Sequence, residues 1–156
     1  MAGERCIVIA VEDVTTATTV AVAGARAAVE EGATDVVLLH VLSPHPVLQG
    51  MLNLGGPGGE ATEPREEAEM VLTLAERALR AQLASDGNAA PAISHLLESG
   101  DPATAIARAA TGCGAALVVL GARRPHAFGL LHPDVRASIA GRLTCPVRVA
   151  PLQARA

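Results

Sequence analysis

The sequence predicts one α/β domain on a doubly wound, five-stranded parallel sheet with helices on both faces. Three observations carry this. Short apolar runs alternate with longer Ala-rich stretches whose apolar residues recur every three or four positions. The runs are apolar on successive residues, so both of their faces are covered, as in a parallel sheet flanked by helices. Finally, 156 residues at 50% hydrophobic content suffice for one substantial core and leave no room for a second domain.

Taken in order, Cys6 to Val11 (CIVIAV) reads as the first strand, and a helix from about Thr16 to Glu31 closes at Gly32 in a left-handed cap. Val36 to Val41 (VVLLHV) is the second strand. From Ser43 to about residue 65, prolines and the run Gly55 to Gly59 (GGPGG) break any periodicity, so a long mobile connection is expected, either a surface insertion or a lid. Glu66 to Ala84 has acids in its first turn and arginines later, which suits the helix dipole, and it offers Met70, Leu72, Leu74, Leu79 and Leu83 for burial. Ala92 to Leu97 is the third strand. Gly100-Asp101-Pro102 then turns into a helix from about Ala103 to Thr111, with Asp101 as its cap. Leu117 to Leu120 is the fourth strand, ending at Gly121, and a last helix from about Pro133 to Leu143 precedes a fifth strand, Val147 to Ala150.

Right-handed crossovers oblige such a sheet to reverse its order once. A reversal between the first and fourth strands gives the order 3-2-1-4-5, a Rossmann-like arrangement. Ligands of doubly wound sheets bind at the reversal, beyond the carboxyl ends of the strands. That sets Val11-Glu12-Asp13 opposite Gly121-Ala122-Arg123-Arg124, with Val41 ending the neighbouring strand.

Composition excludes several functions. The net charge of -4 and a single aromatic residue, Phe128, argue against nucleic-acid binding. All twelve basic residues are arginines, which removes Schiff-base chemistry and the lysine of a Walker loop. No apolar run approaches the roughly 20 residues of a spanning helix, and an acidic pair interrupts the start where a signal peptide would continue apolar, so a cytoplasmic protein is expected. Cys6, Cys113 and Cys145 are odd in number and widely spaced within apolar segments, and they read as buried, inert thiols.

LVVLGARR followed by TCPVRVAP resembles the closing signature of the universal stress protein family, and CIVIAVED, VVLLHVLSP and SGDPATAI resemble that family's earlier segments in the same order. The resemblance implies ATP binding through glycine, two residues, glycine, nine residues, then glycine with serine or threonine. This chain departs from that pattern. Gly121 matches the first glycine, Arg124 replaces the second, Pro133 and Asp134 stand at the final glycine and hydroxyl, and the intervening segment is one residue short. Glu12 takes the place of the acid at the end of the first strand, followed by Asp13-Val14.

Glycines in such a loop let backbone amides approach phosphate, and the helix start adds donors and partial positive charge. Asp134 at that start would cap the helix itself and repel a phosphate oxygen about 4 Å away by roughly 1 to 4 kcal/mol. Arg123, Arg124 and His126 pull the other way, because guanidinium groups grip phosphate bidentately; the bland alternative is a solvated basic loop. Without aromatic partners, a base would need an aliphatic slot such as Val11 with Val41. The candidate crevice is therefore Val11, Glu12, Asp13, Val41, Gly121, Arg123, Arg124, Asp134 and Val135, with ATP or AMP as the conceivable ligand and weakened or lost binding as the expectation.

No catalytic constellation accompanies it. G-x-S-x-G is absent, Ser138 falls within the last helix, and adjacent Glu12 and Asp13 suit capping and turn formation better than paired acid-base work. His40 and His95 read as packed or edge histidines, while His126 and His132 leave room for an anion or metal contact. A related adenylate-forming enzyme would need a glycine- or lysine-rich phosphate loop, which is missing. The fifth strand, Pro146 to Ala150, is expected at a sheet edge, and the resemblance implies a homodimer through it, with Val147 and Val149 as its apolar face.

Overall fold

Side-chain alternation along the central strands sorts the core into two layers, one on each side of the sheet. In the computed structural model, which describes residues 3–42, 65–121, 138–139 and 141–151, the elements are β1 (Cys6–Ala10), α1 (Val14–Glu31), β2 (Asp35–Leu42), α2 (Arg65–Ser85), β3 (Ala92–Ser99), α3 (Pro102–Cys113), β4 (Ala115–Gly121) and β5 (Val147–Ala150). The strands form one sheet in the order β3-β2-β1-β4-β5, with every pairing parallel. The reversal thus lies between β1 and β4, where the sequence places it.

Ile7 and Ile9 of β1, Val36 and Leu38 of β2, and Leu117 and Val119 of β4 bury themselves against α1 and α2. Their neighbours Val8, Leu39, Val118 and Leu120 point to the opposite layer and meet Ala103, Ile106 and Ala110 of α3 together with Ile139. Full burial on both faces is what makes these strands continuous apolar runs. Alanine and glycine let α1 lie close to the sheet: a Cβ at Gly24 would overlap the fully buried side chain of Ile9.

Helix ends follow local chemistry. Asp13 caps α1 by accepting from the Thr16 amide at 2.8 Å, and Gly32 closes it at φ 62°, donating to the carbonyls of Ala28 and Val29. Asp101 caps α3 in the same way, accepting from the Thr104 amide at 3.0 Å and from its hydroxyl at 2.7 Å, which holds the exposed Asp101 carboxyl below the usual range.

Several boundaries differ from the sequence reading. Ladder pairing of β1 ends at Ala10, one residue before Val11, whereas β3 runs two residues further, to Ser99, paired with β2 throughout. β4 starts at Ala115, because alanines flanked by the two cores serve as strand residues despite their helical propensity. Met70 is corrected from core to surface: it is exposed, and Ala68, Val71 and Ala75 join Leu72, Leu79 and Leu83 in the buried stripe. Of the last expected helix, Ser138 and Ile139 are helical, but residues 141–142 form a turn, closed by Arg142 N–H donating to the Ile139 carbonyl at 2.8 Å, so it ends short of Leu143. Arg142 also donates to the Thr104 hydroxyl at 2.9 Å, fastening this segment to α3.

Candidate functional site

The reversal between β1 and β4 creates the crevice, since α1 leaves on one face of the sheet while α3 enters β4 from the other. Ala10 pairs with Leu120, so Glu12 and Asp13 leave β1 beside Gly121 at the end of β4. Val41 lies near the end of β2, on the other side of β1. Arg123, Arg124, His126, His132, Asp134 and Val135 lie outside the described residues, as does the connection from residue 43 to 64.

Four of the five described members, Val11, Asp13, Val41 and Gly121, have a structural occupation. Val11 is 2% exposed and packs in the α1–α2 layer, whereas half-buried Val41 packs in the α3 layer. Their side chains sit on opposite faces of the sheet, so they do not form one aliphatic slot. This corrects the sequence reading, which had no means of setting the register of Val11 against β2. Asp13 accepts from both the amide and the hydroxyl of Thr16, at 2.8 and 3.0 Å. Glu12 is exposed at the crevice mouth.

Gly121 is the instructive residue. A Cβ there would stand 2.8 Å from Cγ2 of Val20, a buried residue of α1. The absence of a side chain at the end of β4 is therefore demanded by the packing of α1 on the sheet, with or without a ligand. No signal in the sequence links Gly121 to Val20, because the contact exists only once helix and strand are docked.

His40, read from the sequence as a packed or edge histidine, is packed, and what was not legible is its partner. It is 1% exposed, in a row of aliphatic residues, and its Nδ1 lies 2.7 Å from the carbonyl oxygen of Val11. A histidine in an apolar run signals a specific partner, because an uncompensated buried imidazole is costly, but the sequence does not name that partner. His95, by contrast, lies on the edge strand β3 and bonds Glu76 of α2 at 2.8 Å.

The remaining chemistry is sparse. Burial pushes the Cys6 thiol up to about 12, with the Cys113 thiol beside it as a further cause, and burial also raises Cys145. Cys113 and Cys145 are half-buried, where full burial was expected. Among the described residues no group of His, Cys, Asp or Glu could hold a metal ion, and no helix is long and apolar enough to cross a membrane. A groove of about 400 Å³ between α2 and β3 lies away from the reversal; Arg65 and Glu69 of its lining bond one another, and His95 bonds Glu76 of α2.

The fold has close counterparts among solved structures. A universal stress protein in complex with cAMP superimposes with a TM-score of 0.66 at 18% identity, covering 97% of this chain and 100% of its own. The universal stress protein from Archaeoglobus fulgidus in complex with dAMP gives 0.61 at 21%, covering 96% and 98%. A universal stress protein family member from Arabidopsis thaliana with AMP bound gives 0.54 at 18%, covering 96% and 93%. Comparison with the curated proteins finds no match. The sequence matches the model of the universal stress protein family over residues 5–151, nearly its whole length, and with the sheet order and the crevice in place the conclusion is direct: this chain belongs to the universal stress protein family.

Proposed function

We propose that this chain is a non-catalytic regulatory member of its family whose crevice has lost much of its grip on a nucleoside triphosphate. The observation that carries this reading is at Gly121. It is the one glycine retained from the phosphate-binding pattern, and its contact with Val20 accounts for it without a nucleotide. In the rest of that pattern, Arg124 replaces the second glycine, while Pro133 and Asp134 replace the final glycine and hydroxyl. Asp13, which leaves β1 at the reversal, is already engaged in capping α1.

Titration with ATP and magnesium tests the reading. The unaltered protein should show no saturation in the micromolar range. Asp134→Ser, which removes the repelling carboxylate, should tighten binding by about tenfold or more. A micromolar dissociation constant for the unaltered protein would overturn the proposal.

A second reading, favoured by the adenine mononucleotides bound in all three structural counterparts, is a seat for a nucleoside monophosphate. Here Arg123 and Arg124 would grip the single phosphate in place of loop amides. AMP binding that is abolished in Arg123→Ala/Arg124→Ala would establish it, and binding that survives the double change would reject it.

The edge position of β5 supports a homodimer through Pro146 to Ala150. Val147 and Val149 are half-buried in the single chain, and Arg148 is held by Glu30 of α1 at 2.7 Å. A cytoplasmic location accords with the absence of a spanning helix among the described residues.

A further inference from the structure

His40 is a buried titratable side chain for which the crevice chemistry above has no use, and its place is specific. β1 and β2 share a regular ladder up to Ala10 and Leu39, and the last backbone bond runs from the Val11 amide to the Leu39 carbonyl at 2.8 Å. The carbonyl of Val11 is met by the imidazole of His40 at 2.7 Å. A carbonyl oxygen only accepts, so Nδ1 carries a hydrogen and donates it. The ring is thus a wedge at the point where the chain leaves the sheet. Two residues later, Asp13 caps α1, so the position of the Val11 carbonyl governs where the helix starts.

We propose that His40 is a positioning residue of the crevice: its Nδ1–H holds the Val11 carbonyl and thereby sets Glu12, Asp13 and the first turn of α1 in the place a ligand meets. The consequence for ligand affinity rests on the mononucleotide reading above; the consequence for the start of α1 does not.

The side-chain variants separate the two nitrogens. Asparagine offers an N–H one bond from the γ carbon, where Nδ1 stands, whereas glutamine offers it one bond further out. In the unaltered protein, long-range ¹⁵N–¹H correlation should find Nδ1 of His40 protonated. His40→Asn should keep the slow exchange of the Thr16 and Ala17 amides, both held by Asp13, and hold AMP affinity within about threefold, while His40→Gln should speed exchange there relative to Val118 and Val119 and weaken AMP by about three- to tenfold.

A neutral Nε2–H tautomer would overturn the proposal, as would equal exchange and affinity in the two variants. If the unaltered protein binds no AMP, the mononucleotide reading fails, and the tautomer and the amide exchange still decide the role of His40. If neither variant folds, the tautomer decides it.

Discussion

Val20 and Gly121 meet where α1 crosses the end of β4, and neither can be changed without the other noticing. Valine in a helix has one strongly preferred χ1 rotamer, so its Cγ2 cannot swing away from an added methyl group. Gly121→Ala should therefore destabilise the protein by about 1–3 kcal/mol through overpacking. In the background of Val20→Ala the same change should be nearly free, a coupling of at least about 1 kcal/mol in a double-mutant cycle followed by denaturant unfolding. Additive effects would mean that the glycine has a different reason to be there. The distinction matters because a glycine kept for packing is no evidence of a phosphate loop.

The link between α2 and β3 rests on polar contacts as well as on Leu72, Leu79 and Leu83. Partial burial pushes the Glu76 carboxyl up, but hydrogen bonds from Arg80 and His95 outweigh it and hold the group below its ordinary value of 4.5. A carboxyl depressed in the folded state stabilises fully above its unfolded value, and the contribution is lost as pH falls through the folded value. Acidifying from about pH 6 to pH 3 should thus weaken the protein, and Glu76→Gln should flatten that part of the stability profile measured by thermal unfolding. An identical acid slope in both proteins would assign the loss to other groups.

At the same scale, the strands were legible where both faces are buried: the runs at Cys6, Val36 and Leu117 admit no other reading. α2 was legible from its charge order, although period alone did not separate Met70 from the alanines Ala68 and Ala75 that form the buried stripe. The polar end of β3 was missed because Glu98 and Ser99 lie on an edge strand, where apolar alternation fades. The crevice was legible as a place, because crossover handedness fixes it. Its internal contacts were not: the facing of Val11 and Val41, the His40 hook and the Gly121–Val20 approach all arise from register and docking.

For the whole molecule, the sheet has two edges, β3 and β5, and their surroundings differ. β3 pairs with β2 over eight residues and carries His95, hydrogen-bonded to Glu76 of α2, and Glu98, ion-paired with Arg108 of α3. β5 is short, contributes Val147 and Val149, and is the edge proposed for a second copy. Sedimentation at micromolar concentration should find a dimer, and Val149→Asp should yield a folded monomer; a monomeric unaltered protein would contradict that interface.

On the proposed reading, the crevice at the β1–β4 reversal no longer holds a triphosphate, because Gly121 is kept by packing on Val20 and Asp134 stands in the sequence where the phosphate-binding pattern has its hydroxyl residue. The most direct measurement is the electron density beside Gly121 in crystals grown with ATP and magnesium. No ordered triphosphate is expected there. Density for ATP with its phosphates ordered beside Gly121 would overturn that reading.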